Sequence, residues 1–418
     1  MIGRGAFWWA EAPERTYHDG GVSGIRPPEG IVSPLIAPSR GLSLCPARRA
    51  NRPDKLFWRR SVGSSDRTLR SFGSLAPPIE RWPDQSPITS PFWLLYPFSG
   101  LREIRSMASA QFPDEQSDTG EFERQDDAFR DWVTSDGSSG YPAIAGRYHL
   151  YVSWACPWAH RTIIVRHLKQ LEKLIGMTVV DPVRDDLGWA FREGPGHTLD
   201  PINRFNFLSE AYFGTDPHYR GRVTVPVLWD KEKKRIVSNS DDDLMRIFNS
   251  AFDDLGAAKL DLYPKEHRAE IDQLNALIYD TVNNGVYKAG FATSQKAYEE
   301  AVVPLFATLD MLEERLSKRR FLFGDTPLET DWRLFVTLVR FDAVYHGHFK
   351  CNLRRIIDYK NLFGYLRDLY QQPGIAQTVN FDHIKRHYYY THDDINPTRI
   401  VPLGPIQDLA APVDRGRA

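Results

Sequence analysis

The segment 148–161 restricts the possible fold more than any other part of the chain. Its first residues place Leu150 and Val152 on one face, a pattern that predicts a buried strand ending at Ser153. A helix then begins at Cys156-Pro157, because proline is tolerated in a first helical turn, where its missing N–H needs no partner. Apolar or partly apolar side chains follow at helical spacing: Ile163, Ile164, His167, Leu168, Leu171 and Leu174. A strand, Cys-Pro and a helix in this order predict an α/β domain.

Cys156 is the candidate nucleophile of this domain. Its sulfur lies at the positive end of the predicted helix, which favours thiolate over thiol and predicts a lowered pKa. A dithiol oxidoreductase would have a second cysteine three residues later, where this chain has Ala159. A lone thiol can form a mixed disulfide, but an external thiol must then release it. The alternative is a buried structural cysteine at a helix start.

Val225-Pro226 is the second strong signal. Proline inside a β-branched run gives up a ladder hydrogen bond, so it belongs at an edge, a strand start or a tight turn. In thioredoxin-like domains a cis-proline stands opposite the catalytic cysteine, and the backbone of the preceding residue is free to pair with a bound thiol peptide. An ordinary edge-strand proline is the alternative, but the earlier Cys156 helix favours the thioredoxin-like interpretation. We therefore expect Val225 and Pro226 to contribute to a thiol-binding site.

The length of 418 residues suggests two or three domains. We expect a thioredoxin-like domain with its lead over residues 107–255, an all-helical domain over 256–380, and an aromatic-rich, aperiodic tail over 381–418. Residues 1–106 are rich in arginine and lack periodicity. They fit a disordered tail, an organelle transit segment, or an over-extended gene model with the true start at Met107. We favour the last, since nothing before Met107 helps a later element to bury a face.

Composition excludes several classes of function. The 53 Lys and Arg residues balance 54 Asp and Glu, so no global charge attracts nucleic acid or membranes. The three cysteines are too few and too scattered for a disulfide framework, which fits a reducing compartment. No apolar run approaches the length of a membrane span. We therefore expect a soluble cytoplasmic protein that binds neither nucleic acid nor membrane.

The order Cys-Pro, Val-Pro and helical domain resembles that of the glutathione transferases. Over about residues 107–405 the chain resembles one branch of them, the Xi class or glutathionyl-hydroquinone reductases. The segments that carry this resemblance are 148–161, 188–189, 221–230, 283–291, 340–352 and 383–389. The resemblance implies an α/β thioredoxin-like N-terminal domain, an all-α glutathione-transferase C-terminal domain, and a homodimer.

The resemblance also implies a reaction. Cys156 would attack the sulfur of a glutathionyl-hydroquinone, a small-molecule substrate, and a second glutathione would resolve the resulting mixed disulfide. Protonation of the ring and support of its oxygens suit tyrosine hydroxyls. By resemblance Tyr287, Tyr345 and Tyr388 face the substrate, although each could instead be an amphipathic core residue.

For the thiol cosubstrate, the resemblance carries over Trp189, Arg222 and the Val225 backbone. Relatives usually have Glu-Ser before the next helix, gripping the γ-glutamyl ends, whereas this chain has Ser240-Asp241. An ionised Asp repels a carboxylate. Two interpretations stay open: Asp241 holds the ammonium while Ser240 takes the carboxylate, or the natural thiol lacks that group, as mycothiol does.

Other functions remain alternatives at this level. His346, His348 and Cys351 have a spacing that a metal could use, but no fourth ligand lies nearby in the sequence and we expect no metal. A first rival function is an omega-like thioltransferase or dehydroascorbate reductase. A second is a non-catalytic thiol-binding scaffold, against which the intact Cys156 argues.

Overall fold

The computed structural model describes residue 115, residue 117 and residues 119–415, so the predicted extension 1–106 lies outside the described residues. Four strands form one sheet: β1 (Tyr148–Val152), β2 (Gly176–Val179), β3 (Val227–Asp230) and β4 (Arg235–Ser238). Their order in the sheet is β2-β1-β3-β4, with β1 parallel to β2 and antiparallel to β3, and β3 antiparallel to β4. The buried run of β1 thus forms an inner strand.

Three helices accompany the sheet: α1 (Pro157–Leu168), α2 (Ser209–Thr215) and α3 (Asp241–Ser250). Helix α1 begins directly after Cys156, with its proline in the first turn as the sequence predicts. Helix α3 begins after Ser240, whose hydroxyl accepts a hydrogen bond from the Asp243 backbone N–H at 3.3 Å. The mixed sheet with these helices confirms the thioredoxin-like part of the predicted fold class.

Helices alone follow from residue 268. They are α4 (Arg268–Ile278), α5 (Gly285–Gly290), α6 (Gln295–Leu316), α7 (Glu329–Arg340), α8 (Lys360–Tyr370) and α9 (Phe381–Thr391). Every residue of α7 is buried, so it forms the centre of this helical part. Two π-helical segments, Tyr279–Asn283 and Phe341–Tyr345, precede α5 and follow α7. No helix within the described residues is both long enough and apolar enough to cross a membrane.

The tail was predicted to be aperiodic, and there the structure corrects the sequence analysis. Residues 381–391 form α9, capped by the Asn380 side chain, which accepts from the His383 N–H at 3.0 Å. Its buried side chains recur at helical spacing, but several are histidines, which concealed the apolar face: His383, Ile384, His387, Tyr388 and Thr391. Helix α9 touches both parts of the molecule, through hydrogen bonds from His387 to the Pro182 carbonyl and from Tyr389 to the Ala343 carbonyl.

Candidate active site

Cys156 lies on the wall of a cavity between the sheet part and the helical part. It is the N-cap residue of α1, in extended conformation, and its side chain is partly buried. Its Sγ lies 3.5 Å from the carbonyl oxygen of Val225, to which the thiol donates. The Val225-Pro226 peptide bond is cis, so the backbone segment that the sequence paired with Cys156 does stand opposite it.

The pKa of the Cys156 thiol differs from the sequence expectation. Burial raises this pKa above its ordinary value, and it outweighs the backbone N–H groups of Ala159 and Trp158 and the charges of Arg124 and Arg340, which act in the opposite direction. The prediction of a lowered pKa was therefore wrong in its net direction. Sequence identifies the helix end, whereas only the fold shows how much water the thiol loses.

Arg340 holds the loop that leads into Cys156. Its side chain is fully buried in α7 and donates to the carbonyls of Ala155 at 3.0 Å and Trp154 at 2.9 Å. A third N–H group lies 3.0 Å from His160 Nδ1. The guanidinium thus holds the two consecutive peptide groups that precede Cys156. Its positive charge also favours the thiolate form of Cys156.

The three tyrosines form one hydrogen-bonded cluster. The Tyr388 hydroxyl contacts the hydroxyls of Tyr287 and Tyr345, the latter at 3.0 Å. Tyr287 and Tyr388 line the Cys156 cavity, while Tyr345 stands behind Tyr388 and is not among the lining residues. Burial raises the pKa of Tyr287 and Tyr388 well above the ordinary value and that of Tyr345 to about 12, so all three keep their protons at neutral pH.

Of the residues expected to hold the thiol cosubstrate, Trp189, Arg222 and Val225 line the cavity. The Trp189 ring stacks on His387, with centroids 5.0 Å apart. Arg222 is ion-paired with the buried carboxylate of Glu115 at 2.9 Å. The guanidinium that the sequence assigned to a ligand carboxylate is therefore already matched by a protein carboxylate.

Ser240 and Asp241 lie away from the cavity wall. Ser240 caps α3, and the Asp241 carboxylate is ion-paired with the buried Arg161 at 2.6 Å. Arg161 also donates to the Asn283 side chain at 2.8 Å, which in turn donates to Thr337 at 2.7 Å. Asp241, which the sequence placed at the γ-glutamyl group together with Ser240, thus takes part in a buried network joining α1 and α3 to the helical part.

Sequence analysis did not identify several side chains of the cavity wall, namely Arg124, Trp158, Arg184, His387 and His392. The segment 383–389 was recognised as family-like, but only Tyr388 was selected from it. His387 donates from Nδ1 to the Pro182 carbonyl at 2.8 Å, and burial lowers its pKa to about 3. The ring is therefore neutral, and its other nitrogen is an acceptor.

The side chains of His348 and Cys351, two of the three residues with a spacing that a metal could use, have separate partners in the structure. His348 Nε2 lies 3.2 Å from His392 Nδ1, whereas the Cys351 sulfur lies against backbone carbonyls. Burial raises the pKa of Cys351, as expected for an inert thiol. Across residues 119–415 no group of three or more potential metal ligands is assembled.

Comparison with known proteins places this architecture in a class. Residues 295–368 match the family model described as "Glutathione S-transferase, C-terminal domain". The fold is also similar to the crystal structure of the glutathione S-transferase Xi from Phanerochaete chrysosporium, with a TM-score of 0.69 and 51% identity over 72% of this chain and 97% of that one. The protein is a glutathione transferase in fold, which confirms both halves of the predicted fold class.

Closer sequence relatives define the branch. The chain is 55% identical over 309 residues, 72% of its own length and 94% of the relative's, to the glutathionyl-hydroquinone reductase YqjG of Escherichia coli. It is 51% identical to the glutathionyl-hydroquinone reductase PcpF of Sphingobium chlorophenolicum, over 71% of this chain and 93% of that protein. The glutathione-bound structure of YqjG matches with a TM-score of 0.68 and 56% identity, covering 69% of this chain and 96% of YqjG. The chain belongs to the glutathionyl-hydroquinone reductase family of enzymes, which confirms the predicted resemblance.

Proposed function

We propose that this enzyme removes glutathione reductively from glutathionyl-hydroquinones through a mixed disulfide on Cys156. One observation carries the proposal: Cys156 is on the cavity wall, and the other cysteine of the described part, Cys351, is buried elsewhere with backbone partners. A single accessible thiol can accept a glutathionyl group but needs a second thiol for release. The names of YqjG and PcpF support this reaction class.

The reaction has two balanced steps. The Cys156 thiolate attacks the sulfur of the glutathionyl-hydroquinone, forming an S–S bond while the ring carbon–sulfur bond breaks. The electron pair stays on the ring carbon, which takes up a proton, and free hydroquinone leaves. A glutathione thiolate then attacks the glutathionyl sulfur of the mixed disulfide, giving glutathione disulfide and the Cys156 thiolate.

The tyrosine cluster supplies the donors that this chemistry needs. Tyr287 and Tyr388 lie on the wall beside Cys156, and their raised pKa values keep the hydroxyls protonated at neutral pH. We propose that they donate to the hydroquinone oxygens and supply the proton for the ring carbon. Tyr345 acts as a positioning residue, because its hydroxyl contacts Tyr388 rather than the cavity.

Intact-mass spectrometry tests the proposal directly. The purified enzyme is mixed with a glutathionyl-hydroquinone in the absence of other thiols, and we expect one glutathione adduct per chain with release of free hydroquinone. Cys156→Ser should abolish both signals, and Cys351→Ser, which changes a buried thiol, should retain them. No adduct from the glutathionyl-hydroquinone, but a glutathione adduct formed from a glutathione mixed disulfide with release of its other thiol, would favour the omega-like thioltransferase, and no adduct from either compound would favour the non-catalytic scaffold.

We further propose the organisation of the whole chain. Residues 107–255 act as the thiol-binding domain, 256–380 as the helical domain and 381–418 as a tail that contributes Tyr388 to the site. The family relationship supports a homodimer, and free thiols at Cys156 and Cys351 support a reducing compartment such as the cytoplasm. Sedimentation of the purified enzyme tests the dimer, and fractionation of cells tests the compartment.

A further inference from the structure

The cavity beside Cys156 is smaller than the substrate that it must admit. Its volume is about 60 Å³. For comparison, a protein cavity of about 150 Å³ holds one benzene ring. A glutathionyl-hydroquinone carries such a ring and a tripeptide besides. Some element of the cavity wall must therefore move before the substrate sulfur can reach the sulfur of Cys156.

Part of this wall comes from residues 119–125, which precede the sheet and are called the lead segment here. The lead segment forms neither a helix nor a strand of the sheet. It contributes Phe122 and Arg124 to the cavity lining. The Phe122 ring is buried and packs against Phe291 and Tyr287, with centroids 5.5 Å and 6.4 Å apart. Phe122 thus covers Tyr287, a side chain that we assign to the hydroquinone oxygens.

Two polar contacts hold the lead segment in this position. The Thr293 N–H donates to the Gly120 carbonyl at 3.1 Å, and Glu115, just before the segment, is ion-paired with Arg222 at 2.9 Å. Gly120 has a φ of +86°, and a Cβ at this position would lie 2.6 Å from the Thr293 hydroxyl oxygen. Only glycine therefore allows the lead segment to lie this close to the residues that precede α6.

We propose that the lead segment is a lid over the Cys156 cavity, that Phe122 occupies the place of the hydroquinone ring while the lid is closed, and that the ion pair of Glu115 is its latch. The inference rests on the proposed function for the size of the ligand. The other mobile candidate is α9, which carries His387 and Tyr388 of the wall, but it is a capped helix with a buried face. A coil segment with local contacts opens at a lower cost in free energy than such a helix.

Alkylation of Cys156 by maleimides of two sizes tests the lid without any glutathionyl-hydroquinone. The reagents are N-ethylmaleimide and N-(1-pyrenyl)maleimide, which carries four fused rings. Mass spectrometry quantifies the modified Cys156 peptide, and each rate is divided by that of free cysteine. We expect the wild-type enzyme to react more slowly with the pyrenyl reagent, because the lid excludes it.

Gly120→Ala should displace the lid, and Glu115→Gln should weaken its latch. Neither residue lines the cavity, so the wall itself stays unchanged. Each variant should raise the ratio of the pyrenyl rate to the ethyl rate about tenfold, the factor for loss of one charge-assisted hydrogen bond from the closed state. The first variant decides the lid, and the second decides the latch.

Two matched controls should keep the wild-type ratio of rates. Gly256 has a φ of +89°, so Gly256→Ala brings the same backbone strain, but a Cβ there meets nothing within 4 Å. Glu121→Gln removes a charge from the lead segment itself, where the exposed Glu121 side chain has no ion pair with another described residue.

Asn380→Ala distinguishes the lid from a movement of α9, because it removes the cap of that helix. A ratio for Asn380→Ala equal to or above that for Gly120→Ala would overturn the inference. Equal rates of the two reagents in the wild-type enzyme would overturn it as well. Because no glutathione adduct is measured, failure of the lid and failure of the proposed reaction appear in separate experiments.

Discussion

Two pairs of arginines near the start of α1 differ in the partners of their guanidinium groups. Behind the cysteine, Arg161 and Arg340 direct their terminal N–H groups into the protein, to a carboxylate, an amide and backbone carbonyls. On the cavity wall, Arg124 and Arg184 stack on tryptophan rings and have no carboxylate partner in the described part of the chain.

This difference concerns the partners that the protein itself supplies to a cation. Desolvating a charge costs free energy that only a matched partner offsets. Where the partner is a protein group, as for Arg161, the ion pair joins α1 to α3, and the hydrogen bond from Arg161 to Asn283 joins them to the helical part. Arg184 has no ion pair with another described residue, and its Nε lacks a hydrogen-bond partner, as does the Nε of Arg161. The following predictions test this distinction.

The largest effect is expected for Asp241→Asn. It removes the nearer of the two carboxylates paired with the buried Arg161, leaving only Asp242 at 3.6 Å, and should lower the free energy of unfolding by about 3 kcal/mol. Asp243→Asn is the matched control on the same helix, because Asp243 pairs with the exposed Arg130, and it should cost less than about 1 kcal/mol. Urea unfolding measures both. Equal losses for the two variants would show that the Arg161 pair is no more than a surface-type contact.

Replacing Arg340 with Met should cost about 2–4 kcal/mol, since the Ala155 and Trp154 carbonyls lose their donors. It should also raise the pKa of the Cys156 thiol further, because the charge of Arg340 favours the thiolate. Arg340→Lys keeps the charge but not the forked geometry, so the pKa should recover more fully than the stability. Urea unfolding and the pH dependence of iodoacetamide alkylation separate the two effects.

In the unmodified enzyme the same alkylation assay tests the raised pKa of Cys156. Thiolate is the reactive form, so the rate should rise about tenfold per pH unit from pH 7 to pH 9 and level off only above the ordinary thiol pKa. A plateau already reached at pH 7 would instead show that the pKa of Cys156 is lowered, as its position at the positive end of a helix predicts. Cys351→Ser, which removes the other described thiol, serves as the background for this assay.

Tyr388→Phe should lower kcat about ten- to hundredfold, because it removes a protonated hydroxyl from the cavity wall. Tyr345→Phe should lower kcat by less, about tenfold at most, since that hydroxyl acts only through Tyr388. Steady-state kinetics with a glutathionyl-hydroquinone compares them. A larger loss of kcat for Tyr345→Phe than for Tyr388→Phe would contradict the assignment of Tyr388 as a proton donor and of Tyr345 as a positioning residue.

The smallest effect is expected for Ser240→Ala. Loss of the N-cap should cost about 1 kcal/mol in the free energy of unfolding. The glutathione affinity should stay the same, because Ser240 lies away from the cavity wall. If calorimetry showed a tenfold weaker affinity, Ser240 would belong to the thiol site after all, and the contrast between structural and ligand-binding residues would need revision.

Four features could be predicted from the residues alone: the strand, the Cys156-Pro157 helix start, the Val225-Pro226 segment opposite it and the two-part fold. Each depends on local spacing and backbone preference. The other features depend on contacts between residues far apart in the chain. Burial raised the Cys156 pKa, the ion pair with Arg161 withdrew Asp241 from the cavity, and packing placed Tyr345 behind Tyr388. The unmatched Arg124 and Arg184 also became visible only in three dimensions. Local spacing fixes secondary structure, whereas desolvation and charge pairing depend on which distant residues the fold brings together.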